Sequence, residues 1–160
     1  MKTSSTILIS LILGLVLVGC GRKSVNTSGN SASDSMTSIP SKIVSLHTVG
    51  FSDTTLAFIQ GITFGKAHLG SKIIIDTLIA TGIEFIDLEN RDTILVSSDV
   101  QGKYQKYLRP STYDIIISYV GFNVLRIENV SFKLSEIKEL DVLLGQGPYN
   151  IDVLDLNRTK

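Results

Sequence analysis

Short runs rich in β-branched and aromatic residues, separated by Gly, Pro, Asn, Asp and Ser, recur along this chain of 160 residues. No window of helical length carries the apolar stripe with a period of 3.6 residues that marks an amphipathic helix. Short strands at close spacing are typical of all-β sandwiches, so the pattern predicts a sandwich of about seven to eight strands. The predicted strands lie at 55–64, 72–79, 83–88, 93–98, 103–108, 112–120, 123–128 and 137–144.

The run 112–120 shows the strand pattern most clearly. Tyr113, Ile115 and Ile117 fall on one face of an extended chain, and Ile116 falls on the other. A strand that carries apolar residues on both faces is usually covered on both sides. We therefore predict that this strand lies in the interior of a sheet and not at its edge.

An apolar run occupies residues 7–18 and follows a single basic residue, Lys2. A helix of this length spans roughly 18 Å, well short of the hydrocarbon core of a bilayer, so the run predicts a signal peptide. It ends in Leu-Val-Gly-Cys at 17–20, which resembles the lipobox of bacterial lipoproteins. The resemblance implies removal of 1–19 and lipidation of Cys20, the only cysteine. The alternative is an ordinary signal peptide followed by a chance cysteine.

Residues 20–41 are predicted to be a lipidated cysteine followed by a disordered linker. The segment is rich in Ser, Thr, Asn and Gly, and such a composition buries too little apolar surface to offset its ordering entropy. The β-sandwich domain is then expected at 42–160. Gly21 follows the cysteine where an inner-membrane retention signal would have Asp, and no acidic cluster follows. By resemblance to bacterial lipoproteins, we expect the periplasmic face of the outer membrane.

Three motifs in the middle of the chain carry a second resemblance. They are Asp-Val-Gln-Gly-Lys-Tyr at 99–104, Pro-Ser-Thr-Tyr at 110–113 and Ser-Tyr-Val-Gly-Phe at 118–122. Together they resemble the carboxypeptidase regulatory-like domain of Bacteroidetes envelope proteins. The resemblance implies a Greek-key sandwich of transthyretin-like or immunoglobulin-like type and a module without catalytic activity. It covers 82–145 and extends back to 59 if the first strand is included, although Ser111 stands where the family usually has Gly.

The same motifs place four residues in structural turns. Gly102 can supply a positive φ in a tight connection between strands, and Asp99 can cap that turn by accepting backbone N–H bonds. Pro110 presets the φ of a corner, and Gly121 allows the chain to bend between two strands. These residues are predicted to shape the fold and not to carry chemistry.

Charge and residue content exclude several classes of function. Lys plus Arg and Asp plus Glu are equal at 15 each, so no positive field favours nucleic acid. His47 and His68 lack a metal-binding context, and no nucleophile elbow or phosphate-binding glycine loop is present. Asp87, Glu89 and Asp92 lack the glycine and the closing glutamate of a calcium loop. We therefore predict no catalytic residue, no cofactor and no metal site.

The sequence therefore favours a non-enzymatic, lipid-anchored envelope protein with an accessory or protein-interaction role. Its partner is expected to be another envelope protein, bound by β-augmentation at an exposed edge strand. The alternative is a carbohydrate-binding lipoprotein, which would need exposed aromatic side chains clustered on one face, in a chain without Trp. Whether the tyrosines are buried or exposed therefore discriminates between protein interaction and carbohydrate binding. The chain has five of them, Tyr104, Tyr107, Tyr113, Tyr119 and Tyr149.

Overall fold

The computed structural model describes residues 37–158, which form ten β-strands and no helix. The all-β prediction is confirmed, but the predicted count of seven to eight strands is too low. Cys20, the signal peptide and most of the predicted linker lie outside the described residues. The strands are β1 (Lys42–Phe51), β2 (Ala57–Leu69), β3 (Lys72–Thr77), β4 (Gly82–Asp87), β5 (Thr93–Ser97), β6 (Lys103–Leu108), β7 (Ser111–Ser118), β8 (Val124–Phe132), β9 (Glu136–Gly145) and β10 (Ile151–Asp155).

The strands form two five-stranded sheets of mixed direction. Sheet A has the order β1-β9-β2-β3. The fifth strand, β6, pairs with the first half of β2, and β3 pairs with the second half on the same side of β2. Sheet B has the order β10-β8-β7-β4-β5. The β2–β9 and β8–β10 pairs are parallel, and the other pairs are antiparallel. The arrangement is consistent with a β-sandwich.

One hydrophobic core takes side chains from both sheets. Every second residue of the central strands is buried, as a sheet with one covered face requires. Burying an Ile or Leu side chain contributes roughly 1.5–3 kcal/mol, so this cluster is the main source of stability. Its fully buried members include Ile59, Leu108, Leu140 and Leu144 from sheet A, and Ile83, Phe85, Ile115, Ile117, Leu125 and Ile127 from sheet B.

The prediction of an interior strand at 112–120 is confirmed, because β7 lies between β8 and β4. Tyr113, Ile115 and Ile117 are buried in the core. On the other face, the carboxylate of Asp114 accepts a 2.7 Å hydrogen bond from the Arg126 guanidinium of β8. An ion pair therefore covers the second face of the strand at Asp114, and the other residues of this face are half-buried.

The sequence pattern does not indicate β1 or β10, which are edge strands. No residue of either strand is fully buried, so neither shows the alternation of buried and exposed positions that marks the central strands. β1 pairs with β9, and β10 pairs with β8. These two strands are defined by pairing with distant segments and not by their own composition.

The chain enters β1 through a segment at 38–41 that packs against the domain. The N–H of Ile39 donates to the Gln146 carbonyl at 2.9 Å, and the Asn123 amide donates to the Ile39 carbonyl at 2.9 Å. Ser41 is buried, and its hydroxyl donates to the Asn123 carbonyl. The packed domain therefore includes residues that the sequence assigns to the linker.

β2 and β3 form a long hairpin. The sequence ends the first of these strands at 64, but β2 continues to Leu69 and turns through Gly70 and Ser71 into β3. Gly70 has φ +61°, which suits a two-residue hairpin turn. Residues 66–76 thus lie within the hairpin, and its β3 side forms one edge of sheet A.

Candidate functional site

The turn between β5 and β6 contains two of the residues singled out by the sequence. One carboxylate oxygen of Asp99 accepts the N–H groups of Gln101 and Lys103 at 2.8 and 2.9 Å. Gly102 has φ +75°, and its carbonyl accepts the N–H of Thr63 at 2.9 Å. The turn is therefore attached to the middle of β2, and both residues act on the backbone.

The hydroxyl groups of Thr63, Thr81 and Ser98 are buried next to this turn and lie close together. The Ser98 hydroxyl donates to the Leu78 carbonyl at 2.7 Å and accepts the N–H of Thr81 at 2.9 Å. The Thr63 hydroxyl is also within hydrogen-bond distance of the Leu78 carbonyl. No basic side chain contacts these hydroxyls among the described residues, so they satisfy buried backbone groups and lack the base that a nucleophile requires.

Pro110 and Gly121 lie at two further chain reversals. Pro110 is exposed between β6 and β7, beside Arg109, whose carbonyl accepts the Tyr113 hydroxyl at 3.0 Å. Gly121 has φ +84° in the β7–β8 connection, and its N–H donates to the Tyr149 hydroxyl at 3.3 Å. The four turn residues are therefore spread over three separate connections and do not form one site.

The acidic residues considered for calcium are not brought together. The Asp87 carboxylate is buried and accepts hydrogen bonds from the Ser111 hydroxyl and from the N–H of Glu89. Burial by itself would raise the pKa of Asp87, but these hydrogen bonds hold that pKa below its usual value. Asp92 is exposed. Among the described residues, no three His, Cys, Asp or Glu side chains are grouped to hold a metal ion.

The outer face of sheet A carries a shallow cleft of about 300 Å³ over β2, β6 and β9. Amide and carboxylate side chains dominate its walls. Next to the Gln60–Gln105 pair on the same face lies the Phe58–Tyr107 pair, whose ring centroids are 4.8 Å apart. Such a combination of planar polar groups and an aromatic ring can bind a sugar. The cleft is lined by Gln60, Ile62, Lys103, Gln105, Glu139 and Asp141.

The tyrosines do not cluster on one face. Tyr104 and Tyr113 are buried in the core, and Tyr119 is half-buried. Tyr107 is 54% exposed on sheet A, whereas Tyr149 is 53% exposed in the connection before β10. A single exposed tyrosine, in contact with Phe58, therefore stands beside the cleft.

β3 presents an apolar edge. Ile73, Ile74 and Ile75 are 55%, 41% and 58% exposed, and they are flanked by Lys72 and Asp76. Within the described residues, β3 pairs with β2 on one side and with no strand on the other. Edge strands of natural proteins usually carry charges, Pro or bulges that prevent pairing, and this strand has none of these between its two charged ends.

The backbone of β3 offers free hydrogen-bonding groups on its outer side. The N–H of Leu78 donates to the Thr63 carbonyl at 2.9 Å, which places Leu78 in a hydrogen-bonded pair with β2. Such pairs alternate along an antiparallel ladder, so Ile74 also directs its backbone groups towards β2. The N–H and C=O groups of Ile73 and Ile75 therefore point outward.

The chain matches no known protein family, no curated protein and no solved structure. No helix within residues 37–158 is long and apolar enough to cross a membrane. The inference of a function therefore depends on the lipobox-like sequence that ends at Cys20, the motifs at 99–122, the β3 edge and the cleft on the outer face of sheet A.

Proposed function

We propose that this protein is a non-enzymatic, lipid-anchored envelope protein whose β-sandwich binds another envelope protein through the edge of β3. The observation that carries the proposal is the unpaired edge with three consecutive exposed isoleucines. Adding a strand to such an edge satisfies its outward N–H and C=O groups and covers its apolar side chains. Only a protein segment in extended conformation can provide both the backbone hydrogen bonds and the apolar contacts.

The proposed anchor depends on the N-terminal sequence. The lipobox-like residues 17–20 supply Cys20 as the acceptor of acyl chains, and several acyl chains give stable membrane attachment without a spanning helix. The proposed location is the periplasmic face of the outer membrane. The motifs at 99–122 support a transthyretin-like Greek-key module, which in the carboxypeptidase regulatory-like family is not catalytic.

The anchor is tested by replacing Cys20 with Ala in the full chain. The variant is expected to leave the membrane fraction or to remain as an uncleaved precursor, and to lose incorporation of labelled fatty acid. Wild-type processing and wild-type fatty-acid labelling in the variant would contradict the proposed lipidation.

The interaction edge is tested by placing a photo-crosslinking amino acid at position 75 in cells. Adducts with a protein of defined mass are expected there, because Ile75 lies in the unpaired edge. Leu95 is a matched control, because it is exposed on β5, at an edge of sheet B. Equal or absent adducts at the two positions would contradict an interaction through β3.

Carbohydrate binding at the outer-face cleft is a second candidate function. The specific observation in its favour is the exposed Tyr107 ring, held by Phe58 beside Gln60 and Gln105. Titration with a panel of envelope oligosaccharides tests it. A binding signal that Tyr107→Ala removes, and that a Tyr149→Ala control retains, would support this function, and no signal with any sugar would exclude it for the panel.

A further inference from the structure

We propose that the partner at β3 is a second copy of this chain, which pairs antiparallel about a two-fold axis at Ile74. This inference rests on the proposed function of β3 as an interaction edge and names the occupant of that edge. The two sheets would then form one continuous sheet with the order β1-β9-β2-β3-β3-β2-β9-β1. An interface of this kind uses the same surface on both copies and closes after two subunits.

The backbone of β3 is compatible with this register. In antiparallel pairing about Ile74, Ile73 of one copy lies opposite Ile75 of the other. These two residues direct their N–H and C=O groups away from β2, so they can form a hydrogen-bonded pair on each side of the axis. Ile74 and its symmetry mate form the pair without hydrogen bonds, in which opposite Cα atoms approach most closely, to about 4.5 Å.

The side chains of β3 are complementary to themselves in the same register. Lys72 of one copy lies opposite Asp76 of the other, and the two-fold axis repeats this opposite-charge pair at the far end. Residues directly opposite each other in a sheet point to the same face, so the ammonium and the carboxylate can meet. A parallel pairing in register would instead place Lys72 beside Lys72 and Asp76 beside Asp76.

The other edge strands do not offer this combination. β5 has one strongly exposed large apolar residue, Leu95, and no charged residue. β10 exposes Ile151 and Val153 but carries two aspartates and no basic residue. β6, which pairs with β2 alone, carries two lysines and no acidic residue. Among the strands with an open side in residues 37–158, β3 alone combines a central exposed apolar run with opposite charges at its two ends.

Cysteine crosslinking in membranes of cells that express the full chain tests the register. Ile74→Cys is expected to form a disulfide-linked dimer on mild oxidation, because the two Cα atoms at the axis lie within disulfide range. Ile73→Cys alone is expected to give about tenfold less disulfide-linked dimer than Ile74→Cys. The reason is that the Cα atoms of residue 73 in the two copies are diagonal neighbours, more than about 7 Å apart. Co-expressed Ile73→Cys and Ile75→Cys chains are expected to crosslink with each other. The parent chain, with Cys20 alone, controls for crosslinking through that sulfur.

A charge exchange tests the ion pairs. Lys72→Glu in the Ile74→Cys chain places two carboxylates opposite each other and is expected to lower the dimer yield by about threefold to tenfold. Adding Asp76→Lys to the same chain restores opposite charges and is expected to recover most of the yield. Loss of dimer without recovery in the double variant would overturn the proposed pairing of Lys72 with Asp76.

The results separate this inference from the proposed function. A disulfide or photo-crosslinked adduct at β3 whose mass differs from twice that of the chain would overturn self-pairing but retain β3 as an interaction edge. Equal dimer yields for Ile73→Cys and Ile74→Cys would also overturn the proposed register. The absence of any adduct at positions 73–75 would contradict both self-pairing and the proposed interaction through β3.

Discussion

The hydroxyl of Tyr104 donates a 2.7 Å hydrogen bond to the main-chain carbonyl of Leu140, across β2 at Gly61. The β2–β9 ladder skips Gly61 and Ile62 at this point, and the Asp141 carboxylate accepts the N–H of Ile62 at 2.8 Å. A Cβ on Gly61 would lie 1.8 Å from the Leu140 oxygen. The side chains of Tyr104 and Asp141 thus take the place of backbone hydrogen bonds between β2 and β9, and Gly61 leaves room for them because it has no side chain.

Tyr104→Phe is expected to destabilise the domain by about 1–3 kcal/mol, because it leaves the buried Leu140 carbonyl without its donor. Burial, with the nearby Asp141 charge, raises the pKa of Tyr104 far above its usual value, so the hydroxyl stays a donor at any ordinary pH. Urea denaturation measures the change. Tyr107→Phe is the matched control, since that side chain is exposed and keeps its ring contact with Phe58. Equal midpoints for the two variants would contradict the role of the Tyr104 hydroxyl.

Gly102→Val is expected to lower stability by roughly 2 kcal/mol or more, because the residue occupies a left-handed conformation that a β-branched side chain adopts at high cost. A Cβ there would also lie 2.9 Å from the Thr63 carbonyl oxygen. Chemical denaturation of the 37–160 fragment measures the loss. A wild-type midpoint would show that the turn tolerates a side chain.

Gly50→Val is the suitable control for this substitution. A Cβ at Gly50 has no atom within 4 Å, and its φ is not in the left-handed region. Gly65 is unsuitable, although the sequence gives it no role, because a Cβ there would lie 2.6 Å from the Leu78 side chain and 2.8 Å from the Phe122 ring. We expect Gly50→Val to change stability by less than about 0.5 kcal/mol.

Glu136→Gln is expected to weaken the domain at neutral pH and much less in acid. Burial alone would raise the pKa of Glu136, but hydrogen bonds from Lys138 and Thr48 hold that pKa below its usual value. A carboxylate with a lowered pKa in the folded state stabilises above its unfolded pKa, near 4.3, and loses this contribution as the pH falls through both values.

Denaturation midpoints at pH 7 and at about pH 3 measure this linkage. The difference between wild type and Glu136→Gln is expected to shrink at the lower pH. Glu89→Gln serves as the control, because its side chain is exposed and is expected to matter little at either pH. A difference that stays constant with pH would show that the loss is not electrostatic.

Asn123→Ala is expected to release the packed segment at 38–41. The Asn123 amide is buried, donates to the Ser38 hydroxyl and the Ile39 carbonyl, and accepts the N–H of Asn150. Hydrogen exchange followed by mass spectrometry should show faster exchange at Ile39 and Ser41 in this variant. The control is Asn157→Ala, on the exposed C-terminal side of β10, which is expected to leave exchange at Ile39 and Ser41 unchanged. Equally fast exchange at Ile39 and Ser41 in both variants would contradict the role of Asn123.

Local patterns account for what the sequence predicts well. The alternation of Tyr113, Ile115 and Ile117 with the residues between them depends only on the period of an extended chain, so the strand can be predicted without its neighbours. The turn at 99–103 likewise depends on groups within five residues of each other. β1 and β10 lack such a local signal. The segment at 38–41 has the composition of a linker, although it packs against the domain through hydrogen bonds to Asn123 and Gln146.

The amino-acid sequence by itself determined that this chain forms short strands around an apolar core, because the spacing of apolar side chains is a property of neighbouring residues. Only the tertiary structure decided which strands became edges, because that depends on pairing between segments far apart in the chain. Lys72 to Asp76 has the apolar composition of a covered strand, yet β3 pairs with the second half of β2 at the end of the sheet order, and no strand among the described residues covers its outer side. The exposure of its isoleucines, from which the proposed interaction follows, is therefore a consequence of sheet order.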